Sequence, residues 1–311
     1  MDEDYLEILN IIKNQFDKNI SEKICSTKLE TIVLESSHSF NLKVKDSKIG
    51  GHGYLPRDYD YPSTDDGTPL HFLMQINLAD LPKNSLLPNT GILGFYCGFE
   101  PNFEKEGTNI QCYTELLDEN DPNSAYTLCV DNPDYYLGFS VNNPLSRKGY
   151  KVIYIEDISQ PHYNIEDIKN LFEDDYIEES PIKGEVGLKF SIENRFLVSQ
   201  GIDFEKEFKV KFSELNDVEK DNFDSILDYY LDSASTIGGY PINIKKDLRY
   251  NLPEKYHNYK LLLSLDSNFN EPDISKFSMM WGDMGIGKFY IDQSDLDNLD
   301  FSKTWFYWES N

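Results

Sequence analysis

The chain has 311 residues, with 55 acidic against 29 basic side chains and a formal net charge of −26. Phosphate backbones and anionic bilayers are held by Lys and Arg, so this balance argues against nucleic acid and membrane surfaces as direct partners. A basic protein is the partner that such a charge would attract and steer in. Apolar residues make up 39% of the chain, and 21 Tyr with 19 Phe point to a core richer in rings than in aliphatics. The four cysteines, Cys25, Cys97, Cys112 and Cys129, form no C-x-x-C pair, which suits free thiols in a reducing compartment. Asp2, Glu3 and Asp4 open the chain where a secretory signal would need basic residues, and a cytoplasmic protein is expected.

In chain order, residues 2–19 read as an amphipathic helix, with Tyr5, Leu9, Ile12 and Phe16 at three- and four-residue steps and a lidding role against a sheet. Strands follow at 29–34 and 40–45. They lead into Ser47-Lys48-Ile49-Gly50-Gly51 and a long Pro- and Tyr-rich loop to Pro69. Further strands are expected at 71–78, 92–97, 109–117, 124–130 and 151–156, then an acidic connector over 159–182. The second half holds a strand at 186–192 and a helix over 213–231, capped by Ser213 or Asn216. Next comes Ser235-Thr236-Ile237-Gly238-Gly239 and a second Pro- and Tyr-rich loop to Tyr259. Strands at 260–265, 279–281, 288–291 and 304–308 close the chain.

The two halves share an order. Phe72-Leu73-Met74-Gln75-Ile76-Asn77 stands beside Leu261-Leu262-Leu263-Ser264-Leu265-Asp266, and Gly91-Ile92-Leu93-Gly94-Phe95-Tyr96 beside Gly285-Ile286-Gly287-Lys288-Phe289-Tyr290. The fold class this implies is α+β: an internal duplication of a mixed, mainly antiparallel sheet unit with flanking helices. The chain would be a single domain over 1–311, with repeats at roughly 28–158 and 183–311. The glycines Gly50, Gly51, Gly238 and Gly239 are expected at tight structural turns.

The run Ser47 to Gly51, then Tyr61-Pro62, Gln75-Ile76-Asn77-Leu78, Asp80-Leu81-Pro82 and Gly91-Ile92-Leu93 resembles the YwqG-like family of bacterial proteins. So does the later set Leu262-Leu263, Asp266-Ser267, Trp281-Gly282-Asp283, Gly285-Ile286-Gly287, Asp295-Leu296 and Trp308. The resemblance implies a duplicated α+β fold and no established activity. Some members sit among genes for bacterial toxin and immunity proteins. One departure is Ser264, where the family's second half often carries a Gln matching Gln75.

The chemistry legible in the residues is narrow. The five histidines stand far apart with none at i, i+4, so no metal site is expected. Asp266 to Asn270 begins like a calcium loop but has Glu271 at the sixth position and Phe277 at the twelfth. Both glycine-rich stretches lead into strands or loops, whereas a phosphate cradle needs a helix N-terminus behind it. No cofactor and no catalytic residue can be assigned. The expected function is a protein-interaction module, an immunity-type neutraliser of a basic toxin domain. The alternative is a small-ligand binder or hydrolase with a site between the repeats. Candidate ligand-binding residues are Lys48, Tyr61, Gln75, Trp281 and Asp283; Trp281 would stack a flat or sugar ligand while Asp283 accepts its hydrogen bonds.

Overall fold

The computed structural model describes residues 3–39, 42–64, 67, 69–98, 149–172, 180–244, 246–269 and 276–310. The strands expected at 109–117 and 124–130, with Cys112 and Cys129, lie outside the described residues, as does part of the acidic connector.

One large antiparallel sheet dominates. At its centre β1 (Leu29–Ser36) pairs with β6 (Ile182–Arg195), in register from Leu29↔Arg195 to Ser36↔Leu188. Beyond β6 lie β2 (Lys48–Gly50), β3 (His71–Asn77), β4 (Ile92–Cys97) and β5 (Tyr150–Ile155). Beyond β1 lie β7 (Thr236–Gly238), β8 (Lys260–Asp266), β10 (Ile286–Ile291) and β11 (Trp305–Glu309). The short β9 (Phe277–Met279) attaches to the start of β6. Every pairing among the described strands is antiparallel, as the mainly antiparallel sheet expected from the sequence requires, and no parallel pair occurs among them.

The sheet curls until its flanks approach one another. Phe95 on β4 meets Phe289 on β10 at 5.1 Å between ring centroids, and Tyr150 on β5 meets Phe306 on β11 at 6.1 Å. The concave face holds the main core, with Ile32, Ile49, Met74, Leu93, Leu263 and Phe306 among its buried members. Aliphatic strand centres meet rings from the far flank, which is how a chain of modest hydrophobic content closes a near-barrel.

The helices are α1 (Glu3–Gln15), α2 (Lys18–Ser26), α3 (Ile165–Lys169), α4 (Ile202–Phe208), α5 (Asp217–Leu231) and α6 (Gln293–Asp297). The helix expected over 2–19 ends at Gln15 because Asp17 turns extended and accepts hydrogen bonds from the Asn19 and Ile20 amides, which starts α2 instead. The strand expected at 40–45 is absent from its described residues: 44–45 form a turn, and the Lys43 amide donates to Asp46. Helix α5 starts at Asp217, with Asn216 and Glu219 forming a reciprocal capping box. Helices α1, α2, α4 and α5 bury Ile12, Ile24, Phe204, Phe223 and Ile226 against Phe196 and Val198, just past β6. This is a second core beside the sheet, so α1 joins a helical layer and does not lid the strands. Among the described residues no helix is long and apolar enough to cross a membrane.

Candidate functional site

On β2, Ile49 faces the main core, so its neighbours Lys48 and Gly50 face the convex side of the sheet. Register then sets out a row on that side: Gly187, Lys48, Gln75 and Gly94. Across the other flank the row is Val33, Thr236, Ser264, Lys288 and Tyr307. Each row buries one lysine completely. Lys288 is well provided: its ammonium donates to Glu309 at 2.5 Å, Asn243 at 2.9 Å and Tyr307 at 3.4 Å. Lys48 reaches Glu185 at 3.4 Å, its one ion pair among the described residues. His52, half-buried nearby, is held below its ordinary pKa by burial and then by the Lys48 charge.

The five candidate residues occupy separate settings. Lys48 and Gln75 are cross-strand neighbours. Gln75 is saturated by backbone: its oxygen accepts from the Tyr54 amide at 2.7 Å, and its nitrogen donates to Val44 at 2.6 Å and Asp46 at 2.9 Å. It clamps the 44–54 corner onto β3. Tyr61 donates its hydroxyl to the Leu70 carbonyl and stands edge-on to Tyr96, Tyr163 and Phe172. Trp281 is buried in the main core, 5.6 Å from the Phe306 ring, with no face open for stacking a ligand. Asp283 is exposed on the turn that the Gly285 amide closes onto the Trp281 carbonyl. The five do not converge.

The glycine corners are also apart. Gly50, Gly51, Gly238 and Gly239 all have φ between +68° and +80°, the left-handed region that favours glycine. Gly50 faces Glu185, whereas Gly238 faces Thr31, whose partner on β6 is Glu193. Eight residues of β6 separate Glu185 from Glu193, roughly 27 Å at about 3.4 Å per residue. The corners lie towards opposite ends of the central pair and share no cleft.

Three features lie outside the five candidates. Arg249, fully buried, is held by Asp247 at 2.7 Å and Asp203 at 2.7 Å, donates to the Tyr259 carbonyl, and lies over the Tyr290 ring. Burial raises the Asp247 pKa, but Arg249 overrides it and keeps the carboxyl below its usual range. The hint was Asp-x-Arg in an aromatic loop, which reads equally well as surface charge. Helix α5 exposes Asp217, Asp221, Asp224 and Asp228 at steps of four, three and four, along one face. None of the four has an ion-pair partner among the described residues. Burial, then Asp228 and Asp221, push the Asp224 pKa up. At the two ends of this helix Val218 is 68% and Leu231 43% exposed. Finally, a cavity of about 170 Å³ lies beside Gly238 and Gly239, walled by both halves of the chain.

Among the described residues no group of three or more His, Cys, Asp or Glu is placed to hold a metal ion. No curated protein matches the chain. A family model described as a domain of unknown function (DUF1963) matches residues 47–310, which takes in both buried lysines, both glycine corners and the α5 face. The chain belongs to the DUF1963 family.

Proposed function

We propose that the protein is an interaction module for a basic protein partner, docking through the exposed face of α5. The observation that carries this reading is the ladder of Asp217, Asp221, Asp224 and Asp228, none of them in an ion pair among the described residues. Like charges at i, i+4 cost a helix some stability. A basic partner would relieve that cost, and the −26 charge of the whole chain would speed its approach. The exposed Val218 and Leu231 give the ladder apolar ends, the mixed composition of a protein-binding surface. The YwqG-like resemblance adds a bacterial setting and an immunity-type role, with a toxin domain as the basic partner, and the scattered cysteines suit a cytoplasmic location.

The same reading takes residues 28–158 and 183–311 as two copies of one unit, joined by a connector over 159–182. What supports it is register. The β3–β4 ladder skips Leu73 and the β8–β10 ladder skips Leu262, so both carry a bulge at the corresponding step. Gln75 then matches Ser264, and Phe95 matches Phe289, as the sequence comparison pairs them.

The test is capture from extract of the native host by the immobilised full chain, at several salt concentrations, beside an Asp221→Asn, Asp224→Asn, Asp228→Asn variant. One basic protein should be retained by the parent, released as salt rises, and lost by the variant. Retention that ignores both salt and the variant, or no retained basic protein, would refute the reading.

A further inference from the structure

We infer that the cavity beside Gly238 and Gly239 binds a small zwitterion with an apolar tail, the size of a leucine-like amino acid. Its volume is about 170 Å³. A leucine-lined cavity of about 150 Å³ takes benzene, so this one has room for a side chain of a few carbons and excludes a nucleotide or a lipid tail. The floor is kept flat by glycine: a Cβ on Gly238 would come 2.7 Å from the Leu86 side chain, which closes over the strand from the loop after β3. Leu87, Leu261 and Leu296 complete an apolar chamber.

The charged residues of the wall are one of each sign, beside the neutral polar side chains of Gln293 and Tyr240. Asp203 lines the chamber, with Oδ2 taken by Arg249 at 2.7 Å and Oδ1 without a partner among the described residues. Lys260, exposed at the start of β8, makes no ion pair among the described residues. A ligand ammonium on Asp203 and a ligand carboxylate on Lys260 would use both groups, with the tail among the leucines. A simple carboxylate would satisfy only Lys260 and would approach against a net charge of −26. A simple amine would leave Lys260 unanswered. This site involves no residue of the α5 face and stands apart from the partner proposed above.

The experiment is an NMR titration of the full chain with L-leucine, isovaleric acid and isoamylamine, each to ~10 mM, enough to approach saturation of a site of ~1 mM affinity. L-Leucine should bind at least about tenfold tighter than either half-molecule, the loss expected for one charge-assisted contact. Lys260→Ala, at an exposed position, should fold normally and lose at least about tenfold in affinity for L-leucine. Leu86→Trp, which fills the chamber, should abolish binding; where it fails to fold, Lys260→Ala decides. The proposal is overturned by no response to L-leucine, by equal affinity for isovaleric acid or isoamylamine, or by unchanged binding in the Lys260 variant.

Discussion

Gly50 and Gly238 share a left-handed conformation, yet their surroundings differ in kind. A Cβ on Gly50 would lie 2.2 Å from the Gly184 carbonyl oxygen, a backbone atom that β6 and β9 hold in place. A Cβ on Gly238 would meet only a Leu86 methyl at 2.7 Å, and a leucine can turn away. Both substitutions to Ala carry the left-handed penalty of roughly 1–2 kcal/mol. Gly50→Ala adds a backbone clash, so its melting temperature should fall clearly further than that of Gly238→Ala. Equal losses by calorimetry would show that the sheet yields at Gly184. His71 offers a second residue-scale test. Burial lowers its pKa from the ordinary 6.5 to about 4. A histidine with a depressed folded pKa contributes stability above the unfolded value, and that contribution is lost as pH falls from 6.5 towards 4. The loss is on the order of 3 kcal/mol at its limit, from about 1.4 kcal/mol per pH unit. In His71→Phe the melting temperature should change less over that interval than in the parent, and parallel curves would refute the assignment.

At the scale of elements, α5 carries its own strain. Asp224 faces Asp221 three residues before it and Asp228 four residues after it. Asp224→Asn should therefore stabilise the protein at neutral pH, by roughly 0.5 kcal/mol for two relieved pairs. Because the Asp224 pKa is raised in the folded state, its penalty is present at neutral pH and fades as the carboxyl protonates. The gain should shrink as pH falls through the carboxylate range, and a gain independent of pH would sink this account. Such elements were legible in the sequence where pattern and capping agreed. The apolar steps of α5 and its Asn216 cap marked the helix, and the unbroken runs Phe72 to Met74 and Leu261 to Leu263 marked β3 and β8. The break at Asp17 was not legible, because the apolar spacing of Tyr5, Leu9, Ile12 and Phe16 runs on at Ile20 and Ile24, past the point where a capping carboxylate interrupts the helix. The site was less legible still. Gln75 and Trp281 look functional as residue types, but Gln75 is consumed by three backbone partners and Trp281 by the core. Arg249 and Lys288 look like surface charges, and only the folded loop over the convex face buries them.

For the whole molecule, two kinds of electrostatics compete, and salt separates them. The buried pairs, Arg249 with Asp247 and Lys288 with Glu309, are shielded from solvent ions. The surplus of acidic side chains lies mainly on the surface, where self-repulsion opposes the compact state. At 0.1 M salt the screening length is about 10 Å, shorter than most distances between surface carboxylates on opposite sides of a chain this size. Added salt should thus weaken the repulsion while leaving the buried pairs nearly untouched. The melting temperature should rise as sodium chloride goes from about 0.01 M to about 0.5 M, since the screening length falls severalfold across that range. The α5 variant with three Asp→Asn changes should rise less, having less repulsion to screen. A melting temperature that fell with salt would mean that exposed ion pairs, such as Lys189 with Glu35, outweigh the net charge. The acidic surface would then be organised for the folded chain itself and not held in reserve for a basic partner.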